Sequence, residues 1–162
     1  MALCPICKTE QAKRASGGRC PNCKSKVEVH EGYWFPAGTG SPNLKILKHF
    51  EDLISERLSN EQGKSIVFQV PKKSIRYKRE LVQAGKLLEM ADFDLQLTLD
   101  SITLLFKDPK FAWKNYTTLL WMNNEFPVSL AIMQARIEEK KKLEQKQNAY
   151  INELLRSEDI FS

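Results

Sequence analysis

Cys4-Pro5-Ile6-Cys7 and Cys20-Pro21-Asn22-Cys23 are two C-x-x-C pairs with twelve residues between them. In each pair a short turn brings both sulfurs to one side and leaves backbone N–H groups pointing at them, so two such turns supply four thiolates to one tetrahedral point. The spacing predicts a single, closed, structural Zn2+ site on Cys4, Cys7, Cys20 and Cys23. It would organise a segment of about 25 residues that is too short to build a core of its own. Two separate redox pairs are the plainer alternative. Iron is also allowed by four sulfurs, but no redox partner or cofactor motif follows in the chain, which leaves zinc as the expected ion.

The pattern over residues 1–30 resembles the zinc-ribbon and zinc-knuckle families, whose four-cysteine sites occur in transcription, replication and translation proteins. The resemblance carries over Cys4, Cys7, Cys20 and Cys23, and implies a small fold element used on nucleic acid and on proteins alike. Met1-Ala2-Leu3-Cys4 lacks the charged and apolar regions of a secretory signal, so a reducing cytoplasm is expected, where cysteines at this spacing hold metal in preference to forming disulfides.

Outward from the cysteines the composition changes. Of the seven glycines, Gly17, Gly18, Gly32, Gly38 and Gly40 fall early and only Gly63 and Gly85 come later, while Pro71, Pro109 and Pro127 lie between periodic segments. The expected organisation is a zinc knuckle at 1–30, a connector at 31–43 with docked aromatics Tyr33, Trp34 and Phe35, and a helical domain at 44–162. The fold class expected is mainly α, with a small N-terminal Cys4 ribbon or knuckle and few short strands.

Ser41-Pro42 offers an N-cap and first-turn pair for a helix running to about Ser59. Ile66 to Val70 reads as a strand paired with Lys26 to His30. Lys73 to Met90 keeps Tyr77, Leu81, Ala84 and Leu88 on one stripe, a helical signature. Phe93 to Leu99 alternates like a strand but also fits a helix through Lys107, capped by Asp92 and with Asp94 in its first turn; helix is the reading adopted. Further helices are expected from Lys110 to Met122 and from Pro127 to about Arg156. The aromatics Phe111, Trp113, Tyr116 and Trp121 could stack bases, but their helical spacing assigns them to the core.

The chain has 162 residues, 42% hydrophobic and 28% charged, which suits one sizeable core and excludes a disordered or fibrous chain. Its richest apolar stretch, Leu95 to Phe106, is broken by Asp100, so no membrane span is expected. Lys plus Arg number 25 against 20 Asp plus Glu, a net +5 that leans toward acidic partners such as nucleic acid. The cationic density is concentrated: Lys64, Lys72, Lys73, Arg76, Lys78, Arg79 and Lys86 face a single Glu80 between positions 64 and 86. On a helix Lys72, Lys73, Arg76, Arg79 and Lys86 would form a face suited to a phosphate backbone, the plainer alternative being a solvated surface. Residues 1–30 carry net +4 before the Zn(Cys)4 unit subtracts two. There Lys13, Arg14 and Arg19 either touch phosphates or sit in a solvated loop.

Residues 78–124 resemble the C-terminal helical region of DnaD-type phage and plasmid replication accessory proteins. The likeness rests on Ala84-Gly85-Lys86-Leu87-Leu88, Ile102-Thr103-Leu104-Leu105-Phe106-Lys107-Asp108-Pro109-Lys110-Phe111, Trp113 and Leu119-Leu120. It implies DNA replication without assigning any binding residue, and the winged-helix domain of that family is replaced here by the zinc knuckle. His30, Asn43 and His49 occur in the order of an HNH nuclease, but the intervals are short and Val29 or Glu31 stands where that family has the second residue of its His pair. Phosphate-binding loops and nucleophile elbows are absent from the sequence, and no enzymatic activity is expected. The function expected is a zinc-containing nucleic-acid-binding accessory factor in replication or transcription, phage- or plasmid-borne, binding DNA in preference to RNA and working in the cytoplasm of its cell or host. The alternative is a protein-interaction adaptor that uses the zinc knuckle and the C-terminal helix.

Overall fold

The computed structural model describes residues 2–12, 14 and 16–160. Five helices and two small antiparallel hairpins make up its regular structure, the mainly α architecture expected. Strands β1 (Ala2–Leu3) and β2 (Glu10–Gln11) flank the first cysteine turn, and β3 (Val27–His30) and β4 (Tyr33–Pro36) follow the second. Glu31 (φ 52°) and Gly32 (φ 84°) join β3 to β4, and two successive left-handed residues suit the right-handed twist of a two-residue hairpin.

The expected partner of Lys26 to His30, the Ile66 to Val70 segment, forms no strand; Tyr33–Pro36 takes that edge through the shorter loop. Residues 66–70 instead run extended along α1 (Pro42–Gln62). The Ile66 N–H donates to Ser59 Oγ at 2.9 Å, the Phe68 N–H to Ser55 Oγ at 2.8 Å, and the Val70 N–H to Glu51 Oε2 at 3.2 Å. Two extended residues advance about 6.6 Å and four helical residues about 6 Å, so every second N–H of the segment meets every fourth side chain of the helix. A ladder of side chains replaces the strand partner.

Ser41 caps α1 with Pro42 in its first turn, as expected, and Gly63 (φ 67°) closes it by donating its N–H to Ser59 O. Ser74 caps α2 (Ile75–Met90), with Ala84, Leu87 and Leu88 buried. α3 (Leu95–Lys107) is helical as read, but its cap is Asp94, which accepts the Leu97 N–H; Asp92 (φ 52°) and Phe93 (φ 60°) form the turn before it. The expected helix over Lys110 to Met122 is broken. Asp108 caps the short α4 (Pro109–Ala112), Asn115 turns left-handed, and Thr118 starts a separate 3-10 turn at Leu119–Met122. α5 (Phe126–Ile160) is the last element.

α1 packs on α2 and α3, and α3 on α4 and α5. Their core gathers Ile46, Phe50, Leu87, Ile102, Leu105, Leu119, Met122 and Phe126. A second, smaller cluster contains Ala2, Cys4, Cys20, Val27 and Trp34. Side chains alternate across a strand. On β4, Trp34 enters the small cysteine-lined cluster and its neighbour Phe35 enters the helical core. Tyr33 stacks on Phe93 with centroids 3.6 Å apart, and Lys8 pairs with Asp94 at 3.6 Å, so the cysteine module leans on the turn between α2 and α3.

Candidate functional site

The two cysteine turns are built alike. Both read C-P-x-C-K followed by Thr or Ser, a repeat that the spacing argument did not use. In each, the N–H of the lysine returns to the carbonyl of the first cysteine: Lys8 to Cys4 at 3.0 Å and Lys24 to Cys20 at 2.9 Å. Each first cysteine N–H in turn reaches Thr9 O or Ser25 O, and Lys8 (φ 60°) and Lys24 (φ 62°) are left-handed. The four sulfurs converge within 4.8 Å of one another and could hold a metal ion. Cys4 and Cys23 sulfurs are 3.8 Å apart, as are those of Cys7 and Cys20. A tetrahedral ion with metal–sulfur bonds of about 2.3 Å requires sulfur–sulfur edges of about 3.8 Å, which these two edges match.

Cys4 and Cys20 are buried and Cys7 and Cys23 half-exposed. The Asn22 and Thr9 side chains and the Thr9 backbone pull the Cys7 thiol down to about 5, and the Ser25 hydroxyl and backbone lower Cys23. Burial pushes the Cys4 thiol up to about 11. These surroundings favour the thiolate at Cys7 and Cys23 and the thiol at Cys4.

The cationic candidates divide by surroundings. Lys72, Lys73, Lys78, Arg79 and Lys86 are all exposed, along with Arg76. Arg76, however, donates to Thr117 O at 2.6 Å, lies 3.8 Å from Glu80 and covers the Phe68 ring, so it fastens the 117–123 segment to α2. Glu80, the one acid among these residues, is 5% exposed and accepts the Leu119 N–H at 3.0 Å. Burial raises its carboxyl above the usual range, against the Leu119 N–H and Arg76. Gln83 completes the fastening through Asn123 Oδ1 at 3.1 Å. Lys73, Lys78, Arg79 and Lys86 make no ion pair or side-chain hydrogen bond among the described residues.

In the loop between the cysteine turns, Arg19 donates to Lys24 O at 3.0 Å and Arg14 is exposed. Lys13 lies outside the described residues. The aromatic assignment is half corrected. Phe111 and Tyr116 are buried, but Trp113 and Trp121 are 70% and 60% exposed: at about 100° per residue Phe111 and Trp113 point to nearly opposite sides, and Trp121 belongs to a separate 3-10 turn. Trp113 sits under Lys114, and Trp121 projects from the 3-10 turn while Leu119 and Met122 anchor it. A groove of about 880 Å³ runs between α2 and that turn, lined by Lys78, Arg79, Val82, Lys86, Leu120 and Trp121. Sequence reasoning weighed Trp121 as a base-stacking residue but assigned it to the core, and did not single out Leu120 for this surface; the Thr118 cap, which starts a new turn, was the available signal.

His30 pairs with Glu28 at 3.3 Å, and Glu28 also accepts the Gly38 and Gly40 N–H groups at 2.6 and 3.0 Å. Asn43 donates to Leu81 O at 3.2 Å, beside Gly85, where a side chain would meet it. His30 and Asn43 line one cleft. His49 is bonded to Thr103 at 2.7 Å and burial lowers its pKa. None of the helices is long and apolar enough to cross a membrane among the described residues. Protein-family models, curated proteins and solved structures give no match to this chain.

Proposed function

We propose that the chain is a zinc-stabilised nucleic-acid-binding accessory factor that contacts phosphate backbones through the exposed face of α2, in the cytoplasm. The observation that carries this reading is the surface sign: Lys78, Arg79 and Lys86 on α2 are exposed, as are Lys72 and Lys73, which lie in the turn ahead of the Ser74 cap and not on the helix as expected, while the one acid among them, Glu80, is buried and accepts the Leu119 N–H. Zinc is the ion that best suits four thiolates with sulfur edges of 3.8 Å and a closed, half-buried site, and it would act structurally. DNA ahead of RNA, and replication or transcription on a phage or plasmid, follow from the resemblance of residues 78–124.

A salt titration tests the reading. Each cation that neutralises a phosphate releases counterion, so log K falls with log salt by roughly 0.9 per contact on duplex and roughly 0.7 on single strands. Changing Lys73, Lys78, Arg79 and Lys86 together to Ala should flatten the slope by about three units and weaken all sequences alike. An unchanged slope in a folded variant makes the face merely solvated.

The adaptor is the second reading, favoured by α5, which is exposed throughout from Gln134 to Glu158, with Leu143, Tyr150 and Leu154 on one stripe. Removing residues 136–162 should leave nucleic-acid binding unchanged and abolish any protein partnership.

A further inference from the structure

The groove beside α2 holds more than charge. Ile75 and Val82 are 72% and 60% exposed within the basic face, and across the groove Leu120 and Trp121 are 62% and 60% exposed. A rigid duplex backbone needs the cations but has no use for an apolar floor, because its bases are stacked inside. Extended single strands offer both phosphates and free base faces, and they are bound by aromatic platforms set beside cations.

The turn that carries Trp121 is anchored on both sides. Arg76, Glu80 and Gln83 lie on one side of α2 and hold the Thr117 carbonyl, the Leu119 N–H and the Asn123 side chain, respectively. Thr118 caps the turn by accepting the Trp121 N–H at 3.3 Å, and Leu119 and Met122 are fully buried. With its neighbours anchored, Trp121 lines the groove together with Lys78, Arg79 and Lys86. The one acid in the groove's lining, Glu80, is 5% exposed, accepts the Leu119 N–H and lies 3.8 Å from Arg76, so its charge is opposed within the wall.

We infer that this groove binds single-stranded nucleic acid, with Lys78, Arg79 and Lys86 along the phosphates and Trp121 stacking a base. The inference rests on the nucleic-acid reading above and names the form of nucleic acid that the site takes. An acidic peptide would satisfy the lysines but would leave the indole face without a planar partner.

The test uses the full metal-loaded chain with an oligothymidylate of about 12 nucleotides, a duplex of the same length, and a polyglutamate peptide. The expected result is tighter binding to the oligothymidylate than to either other probe, with quenching of indole emission. Trp121→Ala should weaken it by about 5- to 150-fold while leaving the salt slope in place, and Trp121→Phe should recover most of the loss. Full affinity in Trp121→Ala, or a preference for the duplex, overturns the inference while the basic face, read by its salt slope, still stands. Tighter binding of polyglutamate overturns it in favour of a protein ligand. Failure to bind any nucleic acid removes both this inference and the reading beneath it.

Discussion

Trp34 and Phe35 are consecutive residues of one strand, yet they belong to different cores: Trp34 is 3% exposed among the cysteines, and Phe35 is 2% exposed among the helices. A single β-pleat therefore joins the small cluster around the cysteines, which could hold a metal ion, to the helical core. The helical core closes over Phe50, Leu105 and Phe126 without help from the sulfurs.

Metal removal should accordingly be read in two places. Chelation is expected to shift Trp34 emission to longer wavelength as its cluster opens, while most far-ultraviolet helical signal survives. Metal should bind at one equivalent, more weakly in acid because thiolates must form, and Cys20→Ser should abolish it. Parallel fluorescence and circular dichroism during chelation check this; loss of both signals together would show one cooperative unit.

Ser55→Ala should cost about 1 to 2 kcal/mol, because the Phe68 N–H that donates to Ser55 Oγ at 2.8 Å is half-buried and loses its acceptor. Urea denaturation measures it. A change within error would mean that the 66–70 segment finds water as readily as it finds α1.

Tyr116→Phe should be neutral or stabilising by up to about 1 kcal/mol. The Tyr116 hydroxyl is buried with no hydrogen-bond partner among the described residues, and burial pushes its pKa up to about 12. Removing an unsatisfied oxygen relieves a desolvation cost. A clear destabilisation in the same denaturation assay would reveal a partner for that oxygen.

Glu80 makes stability depend on pH. Burial raises its carboxyl above 4.5, outweighing the Leu119 N–H and Arg76, so the folded chain holds this proton to higher pH than the unfolded chain. The stability it contributes is fully present below the unfolded value and is lost as pH rises through the folded one. Glu80→Gln does not titrate. Between about pH 7 and about pH 4, wild type should therefore gain stability relative to the variant, with the gap levelling below the unfolded pKa. A gap that moves the other way would mean that Arg76 dominates the carboxylate.

His30→Ala should leave DNA intact in every divalent metal, as should the wild type. The His30 ring is committed to Glu28 and His49 to Thr103. Reproducible nicking by wild type that vanishes in His30→Ala would instead make the cleft at His30 and Asn43 an active site.

What the sequence determined by itself were the features set by short spacing. The cysteine pairs, the Ser41-Pro42 start of α1, and the periodic faces of α2 and α3 depend on neighbours within one or two turns, and each was legible. The tertiary structure decided what depends on competition between distant partners. Residues 66–70 carry strand-forming side chains, but alternate N–H groups of the segment are taken by Ser59, Ser55 and Glu51 of α1 and leave that edge closed to a strand partner. Phe111, Trp113, Tyr116 and Trp121 look alike in sequence, yet two are buried and two exposed, and the exposure of Trp121 follows from the separate 3-10 turn that Arg76, Glu80 and Gln83 hold. Aromatic residues pay for exposure in hydration wherever they lie, so their burial is settled by which backbone they are anchored to, a property of the packed chain and not of its local pattern.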